Sequence, residues 1–347
     1  MEQMQDYHIM LEQMNSPAFL VQNDMIVAVN RGAKQYMVEI GTPIVSILTS
    51  GQEEYPLFQK GSMYLTIHLC GTEHSCCATQ LQGCQIFTID ENTPHAQLQV
   101  LALAAQHLSM PVSEISLLLE RLSGVSSADK AKISQNLYKL QRMIGNMSDA
   151  GQYRSHTPQM ITYEICAIFE EILEKSKTLL SQRNITLNYE LPTQPVYSLA
   201  EPEMLKRAAY NLISNAAKFA PSDAQIHVVL KQCDKRLHFT VTNGVAAAKK
   251  ESASIFNRYT RQPGLEDPKF GLGLGMTLVH AAAVAHGGTV LAEHTQNQGL
   301  KITMTLAIRK SKDSNVRSPV LIPELYGGQD QALIELSDVL PYQLYMD

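Results

Sequence analysis

The side chains best suited to chemistry lie in the second half of the chain. In YNLISNAAKF, Asn211 and Asn215 are four residues apart and Lys218 follows three later. On a helix that spacing sets both amides on one face with the ammonium beside them. An amide oxygen is a hard ligand of the kind Mg2+ takes alongside phosphate oxygens, and an ammonium offsets phosphate charge. Taken alone, the same row is equally well a polar helix face. Further on, GLGLG at 271–275 directly precedes the apolar stretch MTLVHAAAVAH. Glycines let a backbone approach phosphates, and the helix start that follows offers unpaired N–H groups. A flexible turn would look the same. Pro263, Gly264 and Pro268 in RYTRQPGLEDPKF suggest a lid over such a site.

Positioning these groups requires a sheet backed by helices, and residues 161–310 read that way. ITYEICAIFEEILEKSKTLLSQR reads as a strand and then a helix, and ITLNYEL as a strand. EPEMLKRAAYNLISNAAKFA is a helix with a proline in its first turn. The strands QIHVVLKQ and RLHFTVTN follow, then the helix after the glycines and two last strands around LAEHTQNQGLKITMTLAI.

Upstream, residues 93–154 carry apolar residues at helical spacing: Leu98, Leu101, Ala105, Leu108, Val112, Ile115 and Leu119, then Ile133, Leu137, Leu140, Ile144 and Met147. Ser127 or Asp129 is expected to cap the second helix. Two helices with such narrow stripes cannot bury themselves alone, so a homodimer built as a four-helix bundle is expected through 93–154. Residues 1–90 alternate in short runs around an Asn-Asp turn and a helix near Asn30, giving a small α+β domain. Residues 311–347 start polar and end in a short apolar stretch able to dock on the body or a partner.

Length and composition narrow the function classes. A chain of 347 residues exceeds what a single core usually holds. With 45% hydrophobic and 18% charged residues it is an ordinary globular composition. There is no apolar run long enough for a membrane span and no basic start of a signal peptide, so the expected location is the cytoplasm. A net charge of −5 gives no electrostatic reason to bind nucleic acid. Cys70, Cys76, Cys77 and Cys84 cluster near His74 without the paired spacing of zinc ligands, and buried thiols explain them as well as a metal or redox site.

In combination, YNLISNAAKFAP, SIFNRYTR and GLGLGMTLVHAAAVAHGGTV, in this order, resemble the N box, F box and second glycine box of sensor histidine kinases. That resemblance implies a multidomain chain whose C-terminal part is a GHKL-type α/β sandwich binding Mg2+ and ATP. It implies Asn215 as the principal Mg2+ ligand with Asn211 and Lys218 beside it, Phe256 anchoring the lid, and Gly271, Gly273 and Gly275 at the phosphate end. Where the family has Asp-x-Gly-x-Gly, this chain has Asn243 through Ala247, so Asn243 would accept the adenine amino group without a charge. Residues 1–90 resemble a PAS sensor domain.

The hairpin departs from the family's His-Glu-Leu-Arg-Thr-Pro-Leu. Here Gln106-His107-Leu108-Ser109-Met110-Pro111-Val112 puts Gln106 at the phosphoacceptor position. An amide has no nitrogen lone pair for attack on phosphorus, and His107 is the candidate acceptor instead. One residue along a helix rotates a side chain by about 100°, so the bundle or lid would need repositioning. The resemblance implies phosphotransfer to the receiver domain of a response regulator. The alternative is a pseudokinase that uses ATP only to regulate a partner by binding. A GHKL ATPase of the chaperone type would need a glutamate where Asn211 stands, and an anti-sigma-type serine kinase would lack the hairpin.

Overall fold

A computed structural model describes residues 2–90, 95–122, 124–153, 158–220, 223–244, 274–295, 299–310 and 330–346. The chain opens with helix α1 (Glu2–Gln13) and strands β1 (Ala18–Gln22) and β2 (Met25–Val29). Asn23 and Asp24, both at positive φ, make the turn between the two strands. Helix α2 (Arg31–Lys34) follows, then β3 (Leu48–Ser50), β4 (Ser62–Leu69), β5 (Thr72–Gln80) and β6 (Gln85–Ile89). Buried Asn30 ties these pieces together. Its Oδ1 accepts from Ala33 N at 2.9 Å and Ala18 N at 3.0 Å, and its Nδ2 donates to Ser16 O at 2.9 Å. The strands run β2-β1-β6-β5-β4, each antiparallel to its neighbour. One face covers a core around Phe19, Leu65 and Phe87, and the other is covered by Leu11 of α1.

Two long helices come next, α3 (His95–Arg121) and α4 (Ser127–Gln152). The cap of α4 is Ser126, not Ser127 or Asp129: its hydroxyl accepts from Asp129 N at 3.1 Å and donates to Asp129 Oδ2 at 2.7 Å. The helix therefore starts one residue earlier than a Ser127 cap would give and three earlier than an Asp129 cap, because Asp129 at its third position completes a reciprocal pair with Ser126. Pro111 lies inside α3 and removes the N–H that would bond the carbonyl of His107. The apolar stripe splits in two. Ala105, Val112, Leu119, Leu137 and Ile144 are buried between the helices. Leu108, Ile115, Leu122, Ile133 and Leu140, between 40 and 48% exposed, face outward at the same seven-residue spacing.

The remaining elements are β7 (Ile161–Glu164), α5 (Ile165–Ser181), β8 (Thr186–Glu190), β9 (Tyr197–Ala200), α6 (Pro202–Lys218), β10 (Gln225–Cys233), β11 (Arg236–Asn243), α7 (Leu274–Ala285), β12 (Val290–His294) and β13 (Leu300–Ala307). Strand β7 pairs with β9, and the order β12-β13-β11-β10-β8 forms a sheet covered on one face by α5, α6 and α7. The alternation of buried residues along β10 and β11 turns Ile226, Val228, Leu237 and Phe239 into that layer, where Phe239 stacks on Phe169 of α5 at 4.5 Å. This two-layer α/β sandwich has the GHKL-type arrangement expected of the C-terminal part.

The two sheets are continuous. Strand β12 pairs antiparallel with β4, with Val290 opposite Tyr64 and Ala292 opposite Ser62, and the result is one 11-stranded sheet. Alternation along β12 feeds both cores: Val290 and Ala292 enter the sandwich, and Leu291 packs on the N-terminal core. Gly61, at φ +81, leads into β4, where a Cβ would lie 2.2 Å from the carbonyl oxygen of Ala292. A last helix, α8 (Gln331–Glu335), and a 3-10 turn at Tyr342–Tyr345 lie against α4 and α6.

Candidate nucleotide site

Helix α6 begins with Pro202, whose missing N–H costs nothing in the first turn. Met204, Leu205, Ala208 and Leu212 bind it to the sheet. Beside them runs a polar row, Arg207, Asn211, Asn215 and Lys218, at helical spacings of four, four and three. Asn211 is 1% exposed. Its Nδ2 donates to the carbonyl of Arg207 at 2.9 Å, and its Oδ1 accepts from Nη2 of Arg142 on α4 at 3.3 Å. Asn215 and Lys218 are partly exposed. The residues expected to hold a metal thus share one face, but Asn211 already holds a guanidinium, and Asn215 is the more open of the two amides.

Gly275, in the first turn of α7, faces this row. A Cβ there would come within 2.6 Å of Asn211 Oδ1, so the close approach of the two helices depends on glycine. Asn243 closes β11 and is buried: its Nδ2 donates to Ala216 O at 3.1 Å, and its Oδ1 accepts from Leu300 N at 3.3 Å. Among the described residues, that amide oxygen has one acceptor lone pair without a partner. Phe256, Gly271 and Gly273, together with the lid expected around Pro263 to Pro268, lie outside the described residues. On these observations the donor set fits Mg2+ and a triphosphate: the hard amide oxygen of Asn215, an ammonium at the helix end, and a helix start bare of side chain where it meets Asn211.

Sequence reasoning missed the ions around this row. Glu335 of α8 is fully buried between Arg142 and Arg207, whose guanidinium also bonds Asp149 Oδ2 at 2.7 Å. Asp338 Oδ2 lies 2.8 Å from Nη1 of Arg142 and 3.3 Å from Nζ of Lys218. Arg207 sits four residues before Asn211, and that spacing was the available signal. Arg142, Glu335 and Asp338 had none, because they meet only in the folded chain. Beneath the same helices, buried His286 accepts from Glu201 N through Nε2 at 3.1 Å, and its Nδ1 lies 2.7 Å from Ala282 O. Burial pushes its pKa below the usual histidine value.

Gln106 and His107 are both exposed on α3. The cysteines do not converge on a metal: Cys76, Cys77 and Cys84 are buried in the N-terminal sheet, and Cys70 is exposed. Among the described residues no cluster of three or more His, Cys, Asp or Glu could hold an ion, and no helix is long and apolar enough to cross a membrane.

Comparison with known proteins meets this geometry at the same helices. Residues 200–310, which span α6, β10, β11, α7, β12 and β13, match the family described as histidine kinase-, DNA gyrase B- and HSP90-like ATPase. The adaptive-response sensory kinase SasA of Synechocystis sp. is 25% identical over 229 residues, 60% of this chain and 59% of that protein. The sensor-like histidine kinase SenX3 of Mycolicibacterium smegmatis is 24% identical, over 66% of this chain and 63% of that one. Residues 200–310 thus carry an ATPase domain of the histidine-kinase type, and the chain is similar to these sensor kinases. It spans about three fifths of the length of these two curated relatives. Among solved structures, the fold is similar to that of full-length ShkA in complex with AMPPNP, at a TM-score of 0.50 and 16% identity, over 61% of this chain and 46% of that one.

Proposed function

We propose that this protein is a histidine-kinase-like signal-transduction protein that binds Mg2+-ATP on α6 and the start of α7. The observation that carries the reading is the row Asn211, Asn215 and Lys218, with Gly275 closing on Asn211, inside the segment that matches the ATPase family. Asn215 would be the main metal ligand, Lys218 would face the phosphates, and Asn243 would accept from adenine. Metal and nucleotide supply a polarised γ-phosphate; the chain's own residues hold it in place.

The hairpin would join two copies in a four-helix bundle. The outward row Leu108, Ile115, Leu122, Ile133 and Leu140 supports this, since one helix pair leaves it uncovered. The N-terminal domain would be a PAS-like sensor, a reading supported by its strand order β2-β1-β6-β5-β4. In the kinase reading His107 accepts phosphate and passes it to a response regulator. The exposed imidazole supports that reading. Gln106 at the usual acceptor position favours the second reading, a pseudokinase that signals by binding alone.

Incubation with γ-labelled ATP and Mg2+ separates the two. Acid-labile label on the wild type, lost in both His107→Ala and Asn215→Ala, is the result expected of a kinase. Nucleotide binding without label leaves the pseudokinase, and no binding at all refutes the site.

A further inference from the structure

The C-terminal segment 330–346 touches the proposed site with a carboxylate. It is held along α4 and α6 by several independent contacts. Ala332, Leu336 and Leu340 enter the sandwich core. Gln135 Nε2 donates to the carbonyls of Leu340 at 2.6 Å and Ser337 at 3.2 Å. The ring of Tyr345 meets Tyr138 edge-on at 5.0 Å, and Lys132 Nζ lies 5.4 Å from the centre of the Tyr342 ring. The segment is thereby positioned so that Oδ2 of Asp338 contacts Arg142 and Lys218 together.

An anionic oxygen shared by a guanidinium and an ammonium is the environment a nucleotide phosphate oxygen seeks. Around the polar row of α6, the cations Arg142, Arg207 and Lys218 are matched by the carboxylates Asp149, Glu335 and Asp338. A triphosphate arriving at Lys218 would meet Asp338 as a like charge on the same ammonium. We propose that Asp338 is an internal competitor for nucleotide phosphate: Mg2+-ATP binds at the cost of the Asp338 contacts and loosens the 330–346 segment from α4 and α6. This rests on the nucleotide reading of the α6 row and adds its regulation. A partner that captures the released segment would, by the same linkage, raise affinity for ATP.

The test uses the full chain. Mg2+-ATP affinity is measured by calorimetry for wild type, Asp338→Asn and Asp330→Asn. Asp330 caps α8 through its bond to Ala332 N at 2.8 Å, away from Lys218, and asparagine keeps that cap. The expected result is affinity raised about five- to tenfold in Asp338→Asn and unchanged in Asp330→Asn, the range of an ordinary coupling between sites. On the wild type, hydrogen exchange in residues 330–346 is expected to speed up when Mg2+-ATP is added. Equal affinity in wild type and Asp338→Asn, with exchange unmoved by nucleotide, overturns the competition and leaves ATP binding standing. Absence of binding in all three proteins overturns the nucleotide reading and the competition together. An equal gain in Asp330→Asn reduces the effect to general charge and overturns the specific role of Asp338.

Discussion

Two seams join other parts of the chain to the C-terminal sandwich, and they differ in chemistry. At the first, β4 meets β12 through a backbone ladder, and Tyr64 and Cys77 of the N-terminal sheet are counted in the sandwich's own core. It also holds a few buried polar contacts: Thr289 Oγ1 donates to Tyr64 O, and Glu54 Oε1 accepts from Thr305 Oγ1 at 2.8 Å and pairs with Arg236 Nη1 at 2.6 Å. At the second, α4 and residues 330–346 meet α6 through Arg142, Arg207, Glu335, Asp338 and Lys218. A ladder with a continuous apolar core has no competitor in solution other than another strand. An ionic seam has many, phosphate among them. The difference places the β4–β12 joint among the fixed parts of the molecule and the joint at α6 among the exchangeable ones.

The sharpest way to break the ionic seam is at its buried centre. In Glu335→Ala, two nearly buried guanidinium groups lose the carboxylate between them. Removing one partner of such an arrangement costs about 3–5 kcal/mol, because the remaining charge stays desolvated. Urea unfolding should report that loss, with α4 and α6 separating first by hydrogen exchange. A loss below about 1 kcal/mol would mean that the arginines find other partners, and would remove Glu335 from the seam's centre.

The ladder should break at Gly61 instead. Gly61→Val places a β-branched side chain at positive φ against the carbonyl oxygen of Ala292. Strain of this type costs about 1–3 kcal/mol, and here it falls on the β4–β12 pairing. Hydrogen exchange should rise in 62–66 and 290–292 while 330–346 keeps its protection. Equal exposure of both regions would show the two seams to be one cooperative unit.

Acid provides a third contrast. The folded-state pKa of His286 is depressed by burial, so the folded protein keeps the ring neutral while the unfolded chain takes up a proton near its ordinary value of 6.5. Its contribution to stability is therefore complete above pH 6.5 and declines as the pH falls through the depressed folded value. Thermal midpoints measured from pH 7.5 down to 5.5 should fall, and fall less in His286→Gln, whose side-chain oxygen can still accept from Glu201 N. Parallel curves for the two proteins would move the acid sensitivity elsewhere.

These seams also mark the division between what could be read in the chain and what could not. The periodicity of β10, β11 and α6 announced an α/β sandwich because each element's apolar face is local in sequence. Asn211, Asn215 and Lys218 were legible for the same reason: a row on a helix is written at spacings of three and four. The fused sheet was not, since the residues of β4 and β12 that pair are more than 200 positions apart and any alternating strand could have taken either edge. Nor was the role of Arg142, which looks like an ordinary surface arginine of α4 until Glu335 and Asp338 are brought to it. Ser126 as the cap of α4 was missed by one position, in a run of serines where each could serve.

The smallest effect concerns the outer rim of the ionic seam. Lys218 and Asp338 are both partly exposed, so their pair alone is worth about 0–1 kcal/mol and is screened by salt. The backbone bonds of the β4–β12 ladder carry no net charge for salt to screen. Raising NaCl from 0.05 to about 1 M shortens the screening distance from more than 10 Å to about 3 Å. Exchange in 330–346 should then quicken by a factor of up to about five, the equivalent of that pair's worth, with 62–66 and 290–292 unchanged. In Asp338→Asn the salt response of 330–346 should be lost, because the exposed charge that salt screens has gone. If the variant keeps the full response, the sensitivity belongs to the buried arginines, and the exchangeable part of the seam lies deeper than Asp338.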